Sequence, residues 1–536
     1  MPNAIKFSAS QVSNAIKKGN FAVANRRDIG YGDTNTSGFW NGIDPPPGGY
    51  VVYFNKASQG PAIFVLASDS ELITFAKRFS SSISTITAAI QYFATLDNCL
   101  ISNKNTEELT TDSLVLYLDS SFTSSYPKGG ATWFDISGSG NNTTLINEPS
   151  FDSTTNTVSY DAVNDGATST YSGALSNYTV IIVFRSVNTP AYGRLVDKNY
   201  TNGFWYGNQE GLANKWGGGP IQPTYPHGVF LTLADGNWHH FVARRSGTTH
   251  TLYGNGLTNT VSHTVSASAT NTTNVGVGSW YDNSGGQRFG GLISRVMIYN
   301  RALTDAEILR DFYGGGIVTS NLKLALDSGN LVSYPKSGSI WTDMSDVSRT
   351  FNLTNGPTFN IDSDSILFDG SNDYVDFSFS LGSATTVTVE MWVKIGAAYS
   401  GKMFFGFLYY DVWCGGANLG YNTAGGDVYG ISAAAVSQLG LVDNWKHYVF
   451  EMRSDVSYTN NKIYINGVSQ TLSQQLGGEN SDARNFNSGN GRISSWKADT
   501  GYCMPMNCAI FRVYDRALTQ AEITQNFNTQ RSRFRI

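Results

Sequence analysis

Leu114-Val115-Leu116-Tyr117-Leu118-Asp119-Ser120 returns about 208 residues further on as Leu322-Lys323-Leu324-Ala325-Leu326-Asp327-Ser328. The echo continues in the same register. Ser125-Tyr126-Pro127-Lys128 comes back as Ser333-Tyr334-Pro335-Lys336, Trp133 and Asp135 as Trp341 and Asp343, and Asn164-Asp165 as Asn372-Asp373. One register held over so many landmarks excludes chance, and the period is long enough for a whole domain. Later landmarks drift slightly: Asn237-Trp238-His239-His240 answers Asn444-Trp445-Lys446-His447, so loops between the repeated elements differ in length.

Within each copy, short runs alternate apolar and polar side chains, as at 179–185 and 387–394. Clusters such as 138–142 and the turn Ile465-Asn466-Gly467 punctuate them. That pattern predicts half-buried strands joined by tight turns, and many short strands predict a sandwich. Each copy closes on a short helix, Asp305 to Phe312 and Gln520 to Phe527. Thr304 with Glu307 and Thr519 with Glu522 have the spacing of capping boxes.

Composition agrees. Charged residues are 14% of the 536, against roughly 25% in ordinary soluble proteins, while aromatics reach 13%. A net charge of -5 provides no field to draw nucleic acid or an anionic membrane. Residues 1–14 have neither the basic start nor the apolar run of a secretory signal, and no stretch has the length of a membrane span. Four scattered cysteines make no disulfide framework, so Cys99, Cys414, Cys503 and Cys508 are read as free thiols.

The strand 114–119, the stretch Trp133-Phe134-Asp135-Ile136-Ser137-Gly138, the strand Phe368-Asp369-Gly370-Ser371-Asn372-Asp373-Tyr374-Val375 and the Tyr-x-Arg-Ala-Leu-Thr endings at 299–304 and 514–519 resemble laminin-G-like, concanavalin-like modules. The resemblance runs from about residue 112 to 528. It implies a mainly β chain with two tandem concanavalin-like jelly-roll β-sandwiches, 111–316 and 317–536; ahead of them, residues 1–110 are read as a small α+β domain with one long helix. Such modules range over lectin-like binders, structural modules and some hydrolases, so the fold alone does not choose among them.

The N-terminal segment differs. Gly38-Phe39-Trp40-Asn41-Gly42-Ile43 followed by Pro45-Pro46-Pro47-Gly48-Gly49-Tyr50-Val51-Val52-Tyr53 is similar to segments of structural proteins of tailed phages, notably those infecting cyanobacteria. This resemblance implies a virion protein, assembled in the cytoplasm of a bacterial host and attached through residues 1–110 to other virion proteins or to copies of itself. Leu72, Phe79, Ile86, Phe93 and Leu100 recur at heptad spacing and predict the helix over about 68–100.

Chemistry is sparse. Hydrolases on this sandwich place two carboxylates a few ångströms apart, yet the strand 387–394 carries only Glu390, and Ile181 stands at its place in the first copy. His240 and His447 occupy one position of both copies, which is better explained by packing and a buried hydrogen bond than by general-base work. No nucleophile elbow, phosphate loop or zinc-protease motif occurs, and the chain is read as a binder without enzymatic activity.

The expected ligand is host-surface glycan, since sugar recognition uses exposed aromatic faces beside amide and carboxylate acceptors. The candidates are Trp205, Tyr206, Trp216, Trp280, Tyr281 and Asp282 in the first copy and Trp413, Trp496 and Tyr502 in the second. All are read as unpaired between copies, whereas the paired Trp133, Trp238, Trp341 and Trp445 are assigned to the core. Modules of this resemblance sometimes hold calcium at the sandwich rim, and the paired Asp119, Asp161, Asp327 and Asp369 are its candidate ligands, with turn capping the competing role. Two alternatives remain to adhesion by a tail fibre, neck or surface decoration: a purely architectural decoration protein, and a polysaccharide depolymerase.

Overall fold

The computed structural model describes residues 5–7, 50–56, 60–66, 77, 99–103 and 112–536, apart from 188–190, 200–202, 209–213, 221–228, 266–271, 479, 483, 532 and 535. In the N-terminal unit the described strands form one antiparallel sheet, ordered Ile5–Phe7, Gly60–Leu66, Tyr50–Lys56, Cys99–Asn103. The helix expected over 68–100 lies outside the described residues except for Lys77 and its end, where Leu100 is in a strand opposite Tyr53. Seven-residue spacing placed Leu100 on a helical stripe. Its backbone instead completes the ladder of an otherwise unpaired edge.

The repeat builds two antiparallel sandwiches. In the first, one sheet runs Asn259–Thr264, Thr249–Gly254, Trp238–Ser246, Tyr178–Ser186, Gly290–Tyr299, Thr157–Asp161, Ser150–Asp152, with Leu114–Asp119 also on Gly290–Tyr299. The other runs Val229–Thr232, Lys215–Pro220, Phe204–Asn208, Arg194–Lys198, Val275–Val277, Gly166–Ser169, Thr143–Ile146, Thr132–Trp133. The second sandwich repeats this order with Thr386–Ile395 at the centre of its first sheet. Its second sheet is centred on Tyr374–Ser378, Asn490–Ile493, Met403–Phe407 and Tyr410–Trp413.

Strand alternation explains where the cores sit. Tyr178, Val180, Ile182 and Phe184 face one core, and Val387, Val389, Met391 and Val393 face the other. The Asn466-Gly467 turn has φ 51 and φ 78, the two left-handed residues that a two-residue hairpin demands, and it closes the pair Ile465 and Val468. Both helices start with the expected capping boxes: Thr304 accepts from the Glu307 N–H, and Thr519 accepts from the Glu522 N–H.

Each sandwich keeps its own core. Between them lies a smaller apolar cluster, with Val183, Trp238, Phe312 and Tyr313 of the first against Ala325, Val332 and Met344 of the second. Asn330 Nδ2 donates to the Phe312 carbonyl at 2.8 Å, and the Tyr313 hydroxyl donates to the Met344 carbonyl at 3.3 Å. The connecting segment is fixed as well, since the Val318 N–H donates to Asn526 Oδ1 at 2.8 Å and its carbonyl accepts from the Tyr514 hydroxyl at 3.0 Å.

Candidate functional site on the outer face of the second sheets

Phe204 and Tyr206 point into the first core, so Trp205 between them points to the outer face of its sheet. Directly across the ladder stands Asp197, and beyond it Gly276. Arg194 fills this spot. Its guanidinium stacks 4.0 Å from the Trp205 ring and lies 3.2 Å from Asp197 Oδ2. Burial pushes the Asp197 carboxyl up to about 6 even with Arg194 beside it.

The loop after Val275–Val277 folds back over this face. The bare Gly276 admits the Trp280 carbonyl, which a Cβ would meet at 2.4 Å, and the Tyr281 N–H bonds Asp197. Trp280 lies half-buried against Gly285, where a Cβ would sit 2.4 Å from the indole. Asp282 is exposed and accepts from the Ser284 N–H and hydroxyl at 3.0 and 2.7 Å. Asn283 is clamped by Arg288 through both its side-chain and main-chain oxygens.

The second sandwich places different chemistry on the same face. Tyr410 and Val412 point into the core, so Asp411 and Trp413 project outward. Across the ladders one row reads Asn422, Asp411, Gly406, Arg492, Asp376. Asp411 Oδ2 accepts from Asn422 Nδ2 at 3.2 Å, while Oδ1 is buried with no hydrogen-bond partner. Burial, with Asp427 adding repulsion, pushes this carboxyl up to about 8. Trp496 lies over Gly406, 3.3 to 3.4 Å from where a Cβ would be, and its indole N–H donates to the Leu408 carbonyl. Tyr502 meets it edge-on at 6.4 Å. Arg492 stacks 3.8 Å from the Tyr374 ring and pairs with Asp376 at 2.8 Å instead of with Asp411.

A laminin-G family model described as "Concanavalin A-like lectin/glucanases superfamily" matches residues 152–309 and 369–524, more than half of the chain. The chain belongs to this superfamily. No curated protein matches the sequence. Among solved structures, the chain is similar to domain 4 of AbnA, a GH43 extracellular arabinanase from Geobacillus stearothermophilus in complex with arabinotriose, at 15% identity over 37% of this chain and 98% of that one, with a TM-score of 0.29. It is also similar to the binding domain of Paraclostridial Mosquitocidal Protein 1, at 11% identity, 78% and 96% coverage and a TM-score of 0.31. A third is the receptor binding domain of botulinum neurotoxin C/D mosaic serotype, at 12% identity, 76% and 98% coverage and a TM-score of 0.30. At such TM-scores these likenesses carry no argument about function.

Within this superfamily fold the expected site residues separate into three groups. Tyr206 and Trp216 are core residues, 0% and 1% exposed, and Trp205 is 5% exposed beneath Arg194, so none of the three offers a free ring face. Strand alternation turns Tyr206 and Trp216 into the sandwich core. Trp280, Tyr281, Trp413, Trp496 and Tyr502 are half-exposed on or beside the outer faces. Trp280 and Trp496 are not unpaired, contrary to the expectation: each stands three residues after the corresponding strand, Val275–Val277 or Asn490–Ile493.

The four aspartates expected at calcium each cap a turn. Asp119, Asp161, Asp327 and Asp369 accept from the N–H groups of Ser121, Val163, Gly329 and Ser371. Among the described residues no group of three or more His, Cys, Asp or Glu side chains gathers where it could hold a metal ion.

Glu390, His240 and His447 are buried at 0%, 1% and 0% exposure, on the opposite sheet from this site. Sequence reasoning missed Arg194, Asp197 and Asp411. The available signal was a carboxylate inside an apolar run, Leu195-Val196-Asp197 and Tyr410-Asp411-Val412.

Proposed function

We propose that the chain is a component of a phage virion appendage, attached to other virion proteins through its N-terminal segment and adhering to host-surface carbohydrate through its sandwiches, without covalent chemistry. The observation that carries the adhesion is the outer face of the second module. There the half-exposed Trp496 with Tyr502 at its edge flanks Asp411, whose Oδ1 lacks a donor, and the Asn422 amide. The half-exposed ring face suits the apolar face of a sugar, while Asp411, with its Oδ1 closed to solvent, packs beneath it against Gly406. Hydrolysis is less well served. Asp427, the carboxylate that repels Asp411, is buried and accepts from the Thr423 and Ala424 N–H groups and the Thr423 hydroxyl. Asp376 is three ladder steps from Asp411, roughly 14 Å at ordinary strand spacing, beyond the separations of about 5 to 9.5 Å that glycoside hydrolysis uses.

The virion assignment, with assembly in the bacterial cytoplasm, is supported by the likeness of residues 38–53 to phage structural proteins. The test of adhesion is a glycan array probed with the full chain and with Trp496→Ala and Asp411→Ala. Glycan signal in the parent that both variants lose is expected, and absence of signal in the parent removes the adhesion. Detection of the chain in purified particles by mass spectrometry tests the rest.

A further inference from the structure

A cavity of about 700 Å³ lies between the two sandwiches, with walls from both. Its size is that of a small-molecule site, and clefts between domains are where such sites gather. The first sandwich contributes Arg185, Asn237 and Trp238, and the second contributes Ser339, Ile340 and Thr350. The lining includes no aspartate or glutamate, although the chain has 41 of them. Arg185 is its one charged side chain, since His239, also in the wall, is pushed by burial below its ordinary pKa.

Arg185 is not spent on the protein. Its Nε donates to the Gly236 carbonyl at 2.7 Å, and no carboxylate pairs with its two terminal nitrogens among the described residues. A guanidinium so placed presents a planar pair of donors matched to a carboxylate. Around it are amides and hydroxyls, and Ile340 exposes 42% of its surface as an apolar platform.

We propose that this cleft binds a carboxylate-bearing saccharide of uronic-acid type, its acid on Arg185, its hydroxyls on the amide and hydroxyl walls and one ring face on Ile340. The site exists only where the two modules meet. It is separate from the Asp411 face and stands whether or not that face binds sugar.

The test is calorimetric titration of the full-length chain with trigalacturonic acid and with its methyl-esterified counterpart. Saturable one-to-one binding of the acid is expected, weaker by about tenfold or more for the ester and for Arg185→Gln, the usual worth of a charge-assisted hydrogen bond. Arg185→Lys should restore part of the affinity, Ser339→Trp should block the cleft, and Asp411→Asn should change nothing. No binding by the parent, equal binding of the ester, or an unaffected Arg185→Gln overturns the proposal. Loss of binding in Asp411→Asn alone moves the ligand to the outer face, overturning this site and leaving adhesion standing.

Discussion

The two sandwiches solve one problem twice with different residues. Beneath the closing helix of each, a histidine from the same strand position is buried against a carboxylate and an arginine. In the first, His240 Nε2 lies 2.8 Å from Asp311 Oδ2, and Arg295 reaches the same oxygen at 2.8 Å. In the second, His447 Nε2 lies 2.8 Å from Glu390 Oε1, with Arg512 at 3.4 Å and Asn526 Nδ2 on the other oxygen at 2.9 Å. The carboxylate has moved from helix to strand. Asn526 holds the place of Asp311, Ile181 holds the place of Glu390, and the arginine has shifted two residues along its strand to follow the charge. What the fold requires there is a neutralised polar centre, and four positions have changed together to keep it.

The largest effect should come from breaking that centre. Burial alone would raise the Glu390 carboxyl, but Arg512 and His447 hold it down to about 2, so it is ionised and paired. Glu390→Ile leaves Arg512 buried without its partner and should cost about 3 to 5 kcal/mol in urea unfolding. Adding Asn526→Asp, Arg512→Met and Ile510→Arg, which transplants the first module's arrangement, should recover most of the loss. If the quadruple variant is no more stable than the single one, the two centres are not interchangeable.

The outer faces differ in degree. Burial holds the folded Asp197 carboxyl up to about 6 although Arg194 stands beside it, so Asp197→Asn trades relief of a disfavoured charge against loss of the Arg194 pair and should change stability at pH 7 less than Asp411→Asn does. For Asp411 no arginine opposes the gain, and Asp411→Asn should stabilise. An unfolded aspartate titrates near about 3.9, while the folded Asp411 is pushed up to about 8. Between these values the folded chain holds the extra proton, so stability falls as pH rises through that window and stays low above it. Asp411→Asn should therefore match the parent at pH 4 and exceed it at pH 9 by on the order of 1 to 2 kcal/mol, read from urea midpoints. Equal pH profiles for parent and variant would contradict an orphaned carboxyl.

The smallest effect lies where the copies agree. Thr304→Ala and Thr519→Ala each remove the same capping box, with Arg301 and Arg516 holding Glu307 and Glu522 through two bonds apiece. Each should cost about 1 kcal/mol, and the two losses should agree within a few tenths.

What could be read from the sequence was local or repeated. The caps, the Asn466-Gly467 hairpin and the paired strands depend on neighbouring residues, and the repeat supplied the domain period. His240 and His447 were legible as packing residues because they recur at one position. The outer-face site was not. The equivalence of Trp280 and Trp496 is hidden by unequal loops, which carry the offset from about 208 at Leu114 to about 216 there. Asp411 and Arg194 acquire meaning only through cross-strand register, which joins residues far apart in the chain. Trp205, Tyr206 and Trp216 were misplaced because being unpaired between copies suggested variable binding loops, whereas two of these rings face the core and Arg194 covers the third.

The joint between the sandwiches has a consequence for binding strength. Val318 is hydrogen-bonded through both its backbone groups, and Phe312 and Tyr313 are wedged into the apolar cluster. The reach from one module's outer face to the other's is therefore set by a stiff hinge pin rather than by a slack tether. Under the proposed adhesion, two weak contacts on such a frame would reinforce each other only when a polymer's repeat matches that fixed stride, and avidity would then report the periodicity of the surface as well as the identity of its sugars.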